Sequence, residues 1–408
     1  MIDKSEITDI LRRNILSFWL KNMQDDVNGG FYGQIKGDGK LVADAPKGSI
    51  LNGRILWTFS AAYRVLGNPE YLEAASRAKD YIISHFLDRE YGGVYWSVDS
   101  LGNPLDTKKQ FYALGFVLYG MSEYFRATGD EEALDICMSL FDVIEEHAWD
   151  KKYGGYIEAC TRNWQMIEDM RLSDLDANYP KSQNTHLHII EPYTNLLRAL
   201  KEVQFKNSSF DGLRNRVQEA VRRLIDIFCS KILNPDTHHL DLFFDMDWKR
   251  GAGWLESYGH DIECSWLMHE AALVLGDRDV LGRVEPIVRL VAKASEKGLN
   301  PDGSMTHEAN LDTGEMDADR HWWVQAETVV GFYNIYQHFS DATALRKAEN
   351  CLEYIKDYLI DYKNGEWFWS VDSYGNINHN DDKAGFWKCP YHNSRMCLEL
   401  IERMSYEV

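Results

Sequence analysis

The chain has 408 residues, a formal charge of −20 and 45% hydrophobic residues, including 13 Trp and 22 Tyr. That is enough apolar surface for a large core, while the negative charge repels phosphate backbones and argues against nucleic acid as a partner. No long uncharged apolar run suggests a membrane span, and seven scattered cysteines without a C-x-x-C pair point to reduced thiols in a cytoplasm, not a structural zinc site.

The first residues, Met1-Ile2-Asp3-Lys4-Ser5-Glu6, are mixed in charge and run into an amphipathic pattern, so no signal peptide is expected. From there the chain repeats a phase. Short polar links at Gly67-Asn68-Pro69, Gly129-Asp130, Asn207-Ser208-Ser209, Gly276-Asp277 and Ser340-Asp341 each end one helical pattern and cap the next. Between them lie glycine- and aromatic-rich segments, such as Asn28-Gly29-Gly30-Phe31, Tyr91-Gly92-Gly93-Val94 and Asn364-Gly365-Glu366-Trp367, which predict short strands and hairpins. Trp96-Ser97-Val98-Asp99-Ser100 and Trp369-Ser370-Val371-Asp372-Ser373 are copies of one another, as a repeat architecture requires.

The repeating unit is helix, hairpin, helix and short link, about six times over. Patterns at Leu72–Ile83 and Leu345–Tyr358 carry charge on one face, as an outer ring would. Those after the hairpins, at Ile50–Ala62, Phe111–Met121, His188–Leu200 and Val324–Tyr336, are more apolar and suit an inner ring. The expectation is an all-α chain, a single (α/α)6 barrel over residues 1–408 with about twelve helices and hairpin insertions at one end. An open α-solenoid is the competing architecture, and it would have no central cavity.

Each post-hairpin helix starts with residues unusual for a core, which a closed barrel would bring to one mouth. Asn52 and Arg54 open the first, where a fixed cation can stabilise an oxyanion. Tyr112 opens the second. In Asn184-Thr185-His186-Leu187-His188 the stripe 184, 188, 191, 195 reads Asn, His, Glu, Asn, which puts His188 toward the pocket and leaves His186 as support. His260 and Glu263 are three apart on one helix face, with Trp266 behind them as a flat aromatic wall. Trp323 and Glu327 share a face, suiting a stacked sugar ring and a held hydroxyl, while Trp322 is assigned to packing. Trp387 precedes Pro390, a first-position helix residue that puts His392 in the first turn. There the helix dipole disfavours imidazolium, so His260 and His392 are tuned to remove and return a proton. His186 and His188 diverge without a third ligand, so no metal is expected.

Asn52-Gly53-Arg54-Ile55-Leu56-Trp57, Asn184-Thr185-His186-Leu187-His188, Gly259-His260-Asp261-Ile262-Glu263, His321-Trp322-Trp323-Val324-Gln325-Ala326-Glu327 and Trp387-Lys388-Cys389-Pro390-Tyr391-His392-Asn393 together resemble the N-acylglucosamine 2-epimerase superfamily, nearest its cellobiose and mannobiose 2-epimerases. The resemblance implies a cofactor-independent, monomeric barrel that epimerises C2 of the reducing-end sugar of β-1,4-linked disaccharides. It implies His260 and His392 as acid/base catalysts, Arg54 and His188 as holders of the enediolate, and Glu263 as an assisting group. Tyr112, Asn184, Trp266, Trp323, Glu327 and Trp387 would then bind substrate. Paired Trp322-Trp323 with Trp387 offer stacking surface for a disaccharide. Rival readings are an aldose–ketose isomerase or a monosaccharide epimerase, an α/α-barrel glycosidase using Glu263 and Glu327, and a non-catalytic sugar-binding toroid.

Overall fold

The computed structural model describes residues 2–174, 176–203 and 210–405. Helix α1 covers residues 4–22 as Lys4–Asp9 and Ser17–Asn22 around a π-helical stretch, Ile10–Leu16. It is followed by α2 (Ser49–Leu66), α3 (Pro69–Tyr81), α4 (Phe111–Thr128), α5 (Glu131–His147), α6 (Gln183–Val203) and α7 (Asp211–Ile227). The last five are α8 (Tyr258–Leu275), α9 (Arg278–Ser295), α10 (Trp322–Phe339), α11 (Ala342–Tyr354) and α12 (Tyr391–Arg403).

The even-numbered helices form the inner wall. Each packs on the next, and α12 packs back on α2, so the ring is closed and an open solenoid is excluded. Their sequences explain the position: α2 is buried continuously from Ser49 to Ala62, as a helix surrounded by others must be. Each odd helix packs outside an even one, and α1 takes the outer place beside α12. The outer helices bury one stripe, as in α11 with Ala344, Ala348, Cys351 and Leu352. The molecule is an (α/α)6 barrel.

The inner-to-outer links end as the sequence pattern predicts. Gly67 closes α2 in the left-handed region at φ 70°, and the Asn68 side chain then accepts the Glu70 N–H to open α3. Asp130, Asp277 and Asp341 cap α5, α9 and α11 in the same way. The expected link at Asn207-Ser208-Ser209 lies outside the described residues.

The short strands do more than form local hairpins. Ser97–Val98 does fold back on Pro104–Asp106, but the strand ahead of each inner helix also pairs with the following segment. Lys47–Gly48 pairs with Ser97–Val98, Lys109–Gln110 with Ala159–Cys160, Lys181–Ser182 with Phe243–Phe244, Leu255–Ser257 with Glu308–Asn310, and Arg320–His321 with Ser370–Val371. Ile35 bridges Ala384 across the seam. A belt of strands therefore stitches neighbouring repeats around the mouth where the inner helices start.

A repeated buried ion pair anchors this belt. Lys47, Lys109, Lys181 and Lys383 reach Asp25, Asp88, Asp150 and Asp361 at 2.7, 2.8, 2.7 and 2.8 Å. The same aspartates cap the glycine turns that follow the outer helices, for example Asp25 with Val27 and Asn28 N–H. Loss of one partner would strand a buried charge, at about 3–5 kcal/mol. Among the described residues, no helix is long and apolar enough to cross a membrane.

Candidate active site

A cavity of about 370 Å³ opens at the belt end of the ring, lined from all six inner helices by their first two turns. Arg54, Tyr112, Asn184, His188, His260, Glu263, Trp323, Trp387 and His392 all border it. Two expected members do not. Trp266 and Glu327 are buried behind the wall, one bonded to the other through Trp266 Nε1 and Glu327 Oε2 at 2.9 Å. Both stand a turn deeper along their helices than Glu263 and Trp323, which do border it. Trp322, assigned to packing, does border the cavity while packing at a tilt on Trp369, 4.8 Å between ring centroids. Pro390 directly precedes α12 and is not its first residue, which leaves His392 in the first turn as expected.

Three histidines face the cavity, each with its Nδ1 engaged from behind. His260 Nδ1 meets Ser257 Oγ at 2.7 Å, His392 Nδ1 meets Glu327 Oε1 at 2.7 Å, and His188 Nδ1 meets Glu191 Oε2 at 3.0 Å. A carboxylate on Nδ1 fixes the proton there and leaves Nε2 as the basic nitrogen. Burial lowers His260 well below the usual imidazole pKa, helped by His188, His307 and His392. Burial also lowers His392 well below it, with Arg54 and Arg395 adding to the effect. His188 is lowered by burial as well, against the opposing pull of Glu191. Trp323 lies beside both outer members, 4.8 Å from His260 and 5.7 Å from His392 between ring centroids.

Arg54 is 3% exposed, and among the described residues no carboxylate lies within 4.0 Å of it. Its guanidinium donates to Tyr112 Oη at 2.8 Å and packs on Phe116 and Tyr391 at 4.1 and 4.8 Å. A buried cation without an anion is costly in a folded protein. It is retained where charge arrives with a ligand.

Beneath the cavity sits a cluster that helix-face arithmetic did not reveal. Arg395, fully buried on α12, bonds Glu191 and Tyr391 through Nη1, and Glu263 Oε1 and Glu327 Oε1 through Nη2 at 2.7 and 2.6 Å. Three carboxylates share one guanidinium, so they cannot all be ionised at equal cost. Burial pushes Glu191 up, but Arg395 and His188 outweigh it and hold the group below its usual range. Burial and Glu327 push Glu263 well above its usual range, leaving it a neutral acid. Its Oε2 is buried without a partner among the described residues, as is Asn184 Oδ1. Both groups border the cavity and await a hydrogen-bond partner.

Glu263, Glu327 and His392 are close enough to hold a metal, but Arg395 already supplies the cation there. His186 is enclosed by Ser182 O at 2.7 Å and Tyr156 N–H at 2.9 Å, and burial lowers its pKa to about 4. Leu172, Ser173, Asp176, Trp369 and Asp381 complete the wall from connecting loops, whose aperiodic sequences carried no signal of it.

A model of the N-acylglucosamine 2-epimerase (GlcNAc 2-epimerase) family matches residues 30–395. The chain belongs to this family. It is 54% identical to a cellobiose 2-epimerase from Bacteroides fragilis and 40% identical to one from Ruminococcus albus, with 98% of each chain covered in both cases. Among solved structures, a sugar epimerase from a ruminal bacterium superposes with a TM-score of 0.91 at 39% identity, covering 98% of both chains. Cellobiose 2-epimerase from Bacillus thermoamylovorans gives 0.90 at 39% identity, covering 98% of this chain and 99% of the other.

Proposed function

We propose that the protein epimerises C2 of the reducing-end sugar in β-1,4-linked disaccharides such as cellobiose, lactose and mannobiose. Its full-length likeness to two cellobiose 2-epimerases supports the substrate class. The observation that carries the chemistry is the pair of imidazoles, His260 and His392, held from behind with Nε2 unengaged among the described residues, on a cavity that contains an uncompensated cation.

Ring opening exposes an aldehyde, and the proton on C2 becomes removable once the oxygen that takes its electrons is stabilised. One imidazole Nε2 takes that proton. The electron pair moves into the C1–C2 bond and the carbonyl oxygen becomes part of an enediolate. Arg54 neutralises that oxygen, and His188, its Nδ1 held by Glu191, offers Nε2 as an acceptor to the hydroxyl on the neighbouring enediol carbon. The second imidazole, entering the step as an imidazolium that solvent has protonated on Nε2, delivers that proton to the opposite face of C2 and inverts it, and the proton held by the first returns to solvent. Glu263, kept neutral, can donate from Oε2 to a sugar oxygen and assist ring opening. Tyr112, Asn184, Trp323 and Trp387 border the remaining space and would bind substrate. A glycosidase using Glu263 and Glu327 as its acid/base pair is disfavoured, because Glu327 does not reach the cavity.

The test is proton NMR of the purified protein with cellobiose, and separately mannobiose, in D2O containing a chelator. The C2 epimer should appear with deuterium at C2. A ketose would assign the protein to aldose–ketose isomerisation, free monosaccharide would assign it to hydrolysis, and an unchanged disaccharide would remove disaccharides from the substrate class.

A further inference from the structure

Three metal-ligating side chains meet on the rim, outside the cavity wall. His307 precedes the strand Glu308–Asn310, Asp317 ends the strand paired with it, and His321 ends the strand that runs into α10. His307 Nδ1 lies 2.7 Å from Asp317 Oδ2, and His321 Nε2 lies 3.4 Å from the same oxygen. All three ligand atoms are within 4.8 Å of one another. The imidazole rings are stacked at 4.3 Å with 27° between their planes, so both nitrogen edges face one carboxylate.

The two imidazoles share one carboxylate oxygen unequally, and only the shorter contact is a good hydrogen bond, so His321 is held loosely there. Two imidazoles and a carboxylate are the donor set of a zinc-class ion, which suits them better than calcium or magnesium. Around a tetrahedral ion at about 2.0–2.1 Å the ligand atoms stand about 3.3 Å apart. The present separations bracket that spacing, so small side-chain rotations suffice. The backbones are already fixed, Asp317 opposite Glu308 and His321 opposite Ser370 in their ladders. The side chains are 18%, 40% and 16% exposed for His307, Asp317 and His321, so an ion can reach them and keep a water ligand.

We propose that His307, Asp317 and His321 bind one divalent transition-metal ion of the zinc class, with water completing the coordination. The ion has no step in the proposed epimerisation. Its place is structural: it ties the hairpin to the strand ahead of α10, where His307 packs edge-on against Trp323 at 5.6 Å between centroids. An ion that binds the folded chain alone raises its stability.

The full chain, stripped with chelator and dialysed, would be titrated with Zn²⁺ by calorimetry and with Co²⁺ by visible absorption. One equivalent of Zn²⁺, the intense d–d bands of low-coordinate Co²⁺, and a Tm raised by a few degrees are expected. H307A/H321A should lose all three responses, and D317N, which keeps the shape and a hydrogen-bonding group, should weaken binding by about tenfold or more. Circular dichroism of both variants guards against reading a folding defect as lost binding. No Zn²⁺ binding by the wild-type chain overturns the proposal. So does an equivalent that survives in both variants, since the ion would then sit elsewhere, as at Glu263, Glu327 and His392.

Discussion

Glu327→Gln separates two roles for one carboxylate. Glu327 accepts from His392 Nδ1 at 2.7 Å, from Arg395 Nη2 at 2.6 Å and from Trp266 Nε1 at 2.9 Å, and it does not border the cavity. The amide keeps the shape but can turn its NH2 toward His392, which would force the ring proton onto Nε2 and remove the base. Tautomer errors of this kind cost about 10²–10⁴ in kcat, or about 3–5 kcal/mol of barrier. The bonds from His392 and Trp266 become neutral ones, while the Arg395 guanidinium keeps Glu191 and Glu263, so the fold should lose only about 1–2 kcal/mol. Initial rates on cellobiose should therefore show a collapsed kcat at nearly unchanged KM, with a small fall in Tm. A KM increase of tenfold or more with kcat intact would refute this reasoning, because it would mean Glu327 holds the sugar and does not orient His392.

Trp266→Phe removes the indole N–H from Glu327, and kcat should fall by about tenfold or less at constant KM, measured in the same assay. Gly259→Ala puts a methyl 2.7 Å from the Trp323 indole, so that ring must shift beside both His260 and His392. A several-fold rise in KM and a loss of about 1–3 kcal/mol in denaturant unfolding are expected. His260 and His392 both lie well below the usual imidazole value of about 6.5, so their neutral forms persist into acid. The acid limb of kcat/KM should accordingly fall below pH 6.5, and a limb above it would contradict the assigned base. Lys47→Met leaves Asp25 buried and unpaired, and unfolding free energy should drop by about 3–5 kcal/mol while kcat of the folded fraction is retained.

The ring and its mouth were readable because periodicity and capping are local. Gly67 followed by Asn68, or Gly276 followed by Asp277, marks a helix exchange without knowledge of anything distant. Helix phase also grouped Arg54, His188, His260, Glu263 and His392, which now border one cavity. Phase specifies a face but not a depth, and that is why Trp266 and Glu327 were placed in the cavity when they stand behind it. Arg395 escaped for a different reason. Its partners Glu191, Glu263 and Glu327 come from three other helices, 204, 132 and 68 residues away, and no spacing rule within one helix relates them. The lysine anchors were not read from the sequence, because each pairs with an aspartate about 20–30 residues away across a turn and the belt must be known first.

The seating of α1 beside α12 has a consequence for how the molecule is made. Asn14 donates to Asp361 O at 2.9 Å and Trp19 to Glu366 Oε2 at 2.6 Å, and Glu366 in turn holds Lys388 and Asn393 at 2.8 and 2.6 Å. This clasp joins segments about 350 residues apart in sequence, and Lys4 Nζ reaches Ser405 Oγ across 401 residues beside it. On the ribosome, α1 must wait with its buried face open until the segment at 391–403 has emerged. That same segment carries His392 and Arg395, so the second member of the proposed acid/base pair and the guanidinium beneath it arrive together with the closing turn. On the proposed mechanism a nascent barrel is chemically silent until it is mechanically shut, and turnover would report that the clasp has fastened.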